Sequence, residues 1–255
     1  METPSRSRHI AATEIKLLWA YSGGYCAFPG CRQLCVAPAT KGDPAKPLGE
    51  HAHIIAHSDA GPRADPSIPE SERASYSNLI LLCPTHHTQV DKQPDSFTVE
   101  DLRSWKRDLE RWVHERLGRA VSDITFTELE QVCQYLLSPA GTPTSNFQVL
   151  PPKEKMDRNG ITQRLEGYLR LGIGGSPYVE RYVDHVAEID EDFPERLKAG
   201  FLREYRARYE QGERGDVLFA SLLRFAQAGD DGLARQAAGL AVLGYLFMTC
   251  EVFES

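Results

Sequence analysis

Five of the eight histidines in this 255-residue chain fall between positions 51 and 87. His51, His53 and His57 form one cluster, His86 and His87 another. Cysteines flank them in pairs. Cys26 and Cys31 are separated by four residues, and Cys83 stands three residues before His86. Each pair is close enough for both side chains to reach one ion from a tight turn. Thiolate and imidazole together select a closed, tetrahedral zinc site, so Cys26, Cys31, Cys83 and His86 are predicted to hold structural Zn²⁺. Cys35 is a spare that could stand in for Cys31. The two elements are joined by loop-rich sequence with little core, so the metal would supply binding energy that packing lacks.

With His86 assigned, His87 remains. Asp91 follows four residues later, on the same face of a helix. A histidine and a carboxylate so placed can hold one divalent ion with open positions. His53, in the apolar context Ala-His-Ile-Ile, could take a proton from water as a neutral imidazole. Asn78 could fix the loop that orients His53 or donate an oxygen to the metal. Together these groups suffice for phosphodiester hydrolysis. His57 is more simply structural, Arg63 is weighed as a phosphate contact against a solvated loop residue, and Lys106, Arg107, Arg111 and Arg116 are a helical face that could meet a nucleic-acid backbone.

The elements that would position these groups follow from local pattern. Thr13–Tyr21 is predicted as a short helix ended by Ser22-Gly23-Gly24. Residues 36–48 are loop by composition, 49–58 a strand, 59–75 a long Pro-containing loop, 78–82 a second strand, and 84–92 a helix. From Thr98, Leu102, Trp105, Leu109, Trp112, Val113 and Leu117 keep helical spacing behind a capping-box variant. Residues 138–152 are a loop or linker. Helices are predicted over 153–172, 177–190, 194–211, 215–228 and 231–253, the last nearly all apolar and suited to burial in a bundle or against a partner. Cys133 and Cys250 are ordinary core residues.

The segment A-H-I-I-A-H-S…G-P-R followed by S-N-L-I-L-L-C-P-T-H-H-T-Q-V-D, with Cys-x4-Cys before it, resembles the HNH nuclease family and its ββα-metal fold. The resemblance covers about residues 13–117. It implies His53 as general base, Asn78 as the family's asparagine and His87 as a metal ligand, with Mg²⁺ or Mn²⁺ as the catalytic ion beside structural Zn²⁺. Ala52 departs from the pattern, because many members carry an acidic or histidine ligand there. Glu50, His51 or Asp91 could replace it, with Asp91 preferred and His51 next. The stretch L-L-W-A-Y-S-G-G-Y-C-A-F-P-G-C also resembles HNH effectors of bacterial anti-phage systems. The C-terminal part resembles, diffusely, C-terminal domains of ABC-three-component defence systems.

The expected fold class is therefore α+β: a zinc-stabilised ββα-metal domain over 1–120 and an all-α interaction or regulatory domain over 121–255. The expected activity is metal-dependent endonuclease cleavage of DNA. The rivals are an inactive zinc-stabilised adapter that binds nucleic acid, and an RNase on the same fold. Residues 1–120 balance 15 basic against 15 acidic side chains, and the net charge of −7 resides in 121–255, with 14 against 21. The acidic half is thus a poor nucleic-acid surface. The diffuse resemblance to ABC-three-component C-terminal domains implies docking to partner subunits, among them an SMC-like ATPase and other defence subunits; a helical bundle that pairs with a second copy of the chain is the alternative. With no run of about 18 apolar residues and no apolar leader, neither a membrane span nor a secretory signal is expected. The cytoplasm follows, with its cysteines reduced.

Overall fold

The computed structural model describes residues 10–137, 152–227 and 232–249. They divide into two compact units, Met1–Val113 and His114–Ser255. The expected α+β class holds, with short strands confined to the first unit and helices filling the second.

In the first unit, helix α1 (Ala12–Ser22) stops at Gly23, whose φ of 57° is the left-handed cap a Cβ would disfavour. Strands β1 (Val36–Ala37) and β2 (Lys46–Pro47) pair antiparallel inside the stretch expected to be plain loop. The ladder is only two residues long, too short to leave a periodic signal. The hairpin that matters is β3 (Glu50–His53) with β4 (Leu79–Leu82), paired Glu50 to Leu82, His51 to Leu81, Ala52 to Ile80 and His53 to Leu79. All four β4 residues are buried, which explains their unbroken apolar run.

Strand β3 ends at His53, not near Ser58 as expected, because other partners take its next backbone groups. Asn78 O accepts from Ile54 N–H at 2.9 Å and Asn78 Oδ1 from Ile55 N–H at 2.9 Å. The segment between the strands, expected as loop, contains the single-turn helix α2 (Glu70–Arg73), and a 3-10 turn (Tyr76–Asn78) leads into β4. Helix α3 (Pro84–Lys92) follows β4 directly, with Pro84 in its first turn where a missing N–H costs nothing. Helix α4 (Val99–Ser122) begins at the anticipated cap, where Thr98 and Asp101 exchange side-chain and backbone hydrogen bonds. It buries Leu102, Leu109 and Val113 in the first unit; its last part, from His114 on, belongs to the second unit and buries Leu117 and Val121.

The second unit is all helix among its described residues: α5 (Phe126–Leu136), α6 (Pro152–Arg158), α7 (Gln163–Ala187), α8 (Phe193–Glu210), α9 (Gly215–Ala226) and α10 (Leu233–Thr249). The expected break at Gly174-Gly175-Ser176-Pro177 does not occur, and α7 runs through it. The break comes instead at 159–162. Gly160 adopts a φ of 63° there, and Thr162 donates its N–H to Asp216 at 2.8 Å. Tertiary packing overrides the local signal, since Gly172 and Gly175 sit against α10 at backbone distance. A Cβ on Gly172 would meet Leu240 O at 2.3 Å, and one on Gly244 would meet Gly172 C at 2.2 Å. Helix α10 is buried along most of its length within this unit, one of the two settings its composition suggests. Cys133 is core, its thiol pushed up to about 12 by burial. The expected 138–152 linker lies outside the described residues except for Pro152, and Cys250 lies outside them too. Among the described residues no helix is long and apolar enough to cross a membrane.

Gly244→Ala should therefore force α7 and α10 apart and cost about 3 kcal/mol. Gly174→Ala, with nothing within 4 Å of the new methyl, should be neutral or gain up to about 1 kcal/mol. Urea midpoints of the two variants check the pair.

Candidate active site

Two turns and one helix bring the first donor group together. Gly30 at φ 77° and Arg32 at φ 49° close the knuckle between Cys26 and Cys31. Ala27 N–H donates to Leu81 O at 2.9 Å, pinning that knuckle to β4. Cys83 and His86 arrive from the start of α3. Ligand atoms of Cys26, Cys31, Cys83 and His86 all lie within 4.8 Å of one another. His86 Nδ1 is 3.6 Å from Cys26 Sγ and 3.1 Å from Cys83 Sγ. Around tetrahedral zinc, with Zn–S near 2.3 Å, donors are spaced by about 3.8 Å, so the set fits such an ion. Cys35 is not part of it, its thiol donating to Gln33 O at 3.7 Å.

A hydrogen bond with the Cys35 thiol, and then burial, push the Cys26 thiol far above the ordinary range, while burial raises Cys31 and Cys83. An ion bound there would have to displace the thiol protons. Phe28 lies flat on the His86 ring, 3.9 Å between centroids and 6° between planes, and Trp105 meets Phe28 edge-on at 5.0 Å. Phe28, backed by Trp105 of α4, thus orients the His86 ring.

One residue further along α3, the direction changes by about 100°. His87 leaves the cysteines and meets two carboxylates. Its Nδ1 contacts Glu50 Oε2, and its Nε2 lies 3.2 Å from Asp91 Oδ2. Asp91, followed by Glu50, holds the imidazole above its usual range, and His87, helped by Arg63, holds Asp91 below its own.

Arg63 links the strand end to this helix. Its guanidinium donates to Ile54 O at 2.9 Å, Val90 O at 3.0 Å, His53 O at 3.4 Å and Asp91 Oδ1 at 3.0 Å. Its side chain is only 5 % exposed, so it acts as an internal brace. Its own φ of 57° is a strained value for a residue with a Cβ, which those four bonds offset. Arg73 braces the preceding loop in the same manner, donating to Ile68 O at 2.7 Å, His57 O at 3.0 Å and Asp59 Oδ1 at 2.6 Å.

Asn78 spends its amide on backbone. Besides accepting from Ile55 N–H, its Nδ2 donates to Ile55 O at 2.8 Å and Arg73 O at 2.9 Å. Of its two anticipated roles, the geometry matches the one that fixes the loop behind His53. His53 itself is half-buried at the end of β3, its ring 5.8 Å from that of His57, which in turn faces Glu70 at 3.8 Å. His51, anticipated as a metal donor, is otherwise engaged: Trp19 Nε1–H donates to its Nε2 at 2.9 Å. Indole is only a donor, so that nitrogen's lone pair is taken and the proton of neutral His51 sits on Nδ1. Burial lowers the imidazole below its ordinary range. Lys106 is buried against the Tyr76 ring at 3.6 Å and paired with Glu110 at 3.0 Å, so it cannot reach a nucleic-acid backbone.

Arg63, Arg73 and Trp19 carry structural roles that residue type and spacing did not single out. Glu50 was the least favoured of three substitutes, yet it touches His87. The signal that would have found it is strand periodicity, which places Glu50 on the same face as Ala52.

Residues 26–94 match a family model, HNH_2, described as HNH endonuclease. The matched span contains both donor groups, His53 and Asn78, and points to nuclease activity in general. No curated protein matches the chain.

Purified chain should contain one zinc per molecule by elemental analysis, and Cys83→Ser should lose it and unfold the first unit on chelation-free dialysis, read by circular dichroism. Arg63→Ala, which removes a buried guanidinium from three carbonyls and from the partly exposed Asp91, should cost about 1–3 kcal/mol in chemical denaturation.

Proposed function

We propose that this chain is a metal-dependent endonuclease that hydrolyses DNA phosphodiester bonds. The observation that carries this reading is the divergence of His86 and His87. One faces three cysteines, and its neighbour faces carboxylates beside the strand that bears His53. A scaffold ion alone would require only the first.

His87 and an adjoining carboxylate would hold Mg²⁺ or Mn²⁺. When bound, such an ion supplies charge stabilisation at the phosphate and the leaving oxygen. His53 takes the proton of the attacking water. Asn78 acts on His53 through the backbone of Ile54 and Ile55, keeping the strand end in place. Arg63 keeps that strand end against Asp91. The structural ion of the Cys26, Cys31, Cys83 and His86 set is Zn²⁺.

The nuclease function is assigned to residues 1–120 and a regulatory or docking role to 121–255. The acidic balance of the latter half supports protein partners over nucleic acid. A role in anti-phage defence in the cytoplasm, with an SMC-like ATPase or a second copy as partner, rests on the resemblance of the Leu17–Cys31 stretch and of the C-terminal helices. A second reading is favoured by one observation: Ala52 offers no ligand. On that reading the chain is an inactive adapter that binds nucleic acid.

Supercoiled plasmid with Mg²⁺ or Mn²⁺ tests both. The wild type should nick it, and His53→Ala should lose about 10²- to 10⁴-fold in rate while keeping its zinc content. Retardation of DNA with no cutting under any ion would establish the adapter instead. Preferential cleavage of RNA offered under the same conditions would reassign the substrate.

A further inference from the structure

Position 52 is occupied by a fully buried alanine, so the hairpin presents no donor there. Two carboxylates nevertheless reach His87, and they do so from opposite sides of its ring. Glu50 Oε2 contacts Nδ1, and Asp91 Oδ2 lies 3.2 Å from Nε2. The two nitrogens of an imidazole point away from each other. One ion therefore cannot be shared by Glu50, His87 and Asp91 while the ring keeps this orientation. Among the described residues, only the set of three cysteines and His86 brings three or more donors within 4.8 Å of one another.

The carboxylates differ in what holds their remaining oxygens. Asp91 Oδ1 receives Arg63 Nη2 at 3.0 Å, and that guanidinium is anchored to three backbone carbonyls. Asp91 is thereby fixed in place and its charge is balanced. Among the described residues, Glu50 forms an ion pair only with His87, and its side chain is 44 % exposed. Strand register explains why Glu50 is the one that arrives. Glu50 pairs with Leu82, two residues before α3 begins, whereas Ala52 pairs with Ile80. The Glu50 end of β3 is the end nearer the helix start, and alternation places Glu50 on the same face as Ala52.

We infer that Glu50 supplies the carboxylate that position 52 lacks, coordinating the active-site ion together with His87 Nδ1, while Asp91 accepts the Nε2–H and, held by Arg63, orients the ring. This rests on the nuclease reading for the presence of the ion. Asp91 is then a positioning residue. Its arrangement is that of the carboxylate–histidine–metal relay, in which the outer carboxylate fixes the tautomer and the ring plane. Metal binding separates Glu50 from the imidazole and leaves the Asp91–Arg63 pair undisturbed.

The test is calorimetric titration of the zinc-loaded full chain with Mn²⁺, which needs no turnover. The wild type should bind one Mn²⁺ beyond its zinc. Glu50→Gln should weaken that binding about 100-fold, and Asp91→Asn, which keeps an acceptor for Nε2–H, about 10-fold, the lower end for an outer partner. Glu50→Ala replaces the glutamine variant should the latter lose zinc. Equal or greater loss in Asp91→Asn, or no Mn²⁺ binding by the wild type, overturns the assignment. Mn²⁺ bound as described by a chain that cuts no plasmid would remove the nuclease reading and leave Glu50 as a ligand. Cutting that is insensitive to Glu50→Gln would remove Glu50 and leave the nuclease.

Discussion

Adjacent side chains on a helix point about 100° apart, and the first unit is arranged around that fact. Helix α3 has nine residues, and it must offer His86 to a cluster of thiols and His87 to a pair of carboxylates. Its orientation about its own axis is consequently fixed from two sides. A rotation that improved one contact would break the other. The aromatic stack of Phe28 on His86 and the Arg63 bond to Asp91 each hold one side of that balance.

The same constraint explains why so small a hairpin suffices. Strands β3 and β4 span four residues each, and a two-stranded hairpin of that length is marginal in water. What completes it is not more sheet. Asn78 extends the pairing past the last rung by imitating a strand partner with its amide, and Arg63 and Arg73 tie the intervening loop to carbonyls that would otherwise be buried without donors. The knuckle is fastened to β4 through Ala27 and to α3 through the thiols. Loop and site are therefore one structure, and the chemistry is carried by segments with little regular secondary structure.

How much of this could be read from residue order depends on range. Ligand spacing is local, so the four donors of the quartet and the pairing of His87 with Asp91 were legible. So were helix caps such as Thr98 with Asp101. The end of β3 was not, because it is set by Asn78 and Arg63, 23 and 10 residues away respectively. Nor was the bond from Trp19 to His51, which joins residues 32 positions apart. In the second unit, Gly175, one of the two glycines that read as a break, packs against α10 instead. A glycine is ambiguous until its neighbour in space is known, since the same missing Cβ permits a turn or a close crossing.

The flat stacking of Phe28 on His86 bears on how the quartet would behave over time as well as at equilibrium. An imidazole can leave a metal only by swinging its ring out of the donor direction. Here that swing must first displace a phenyl face that Trp105 and Phe97 meet edge-on. Exchange of the ion would then be gated by movement of an aromatic cluster, so a scavenger of far greater affinity could still remove it slowly. Tenacity in such a centre would then come from the speed of a side-chain motion as well as from the strength of a bond.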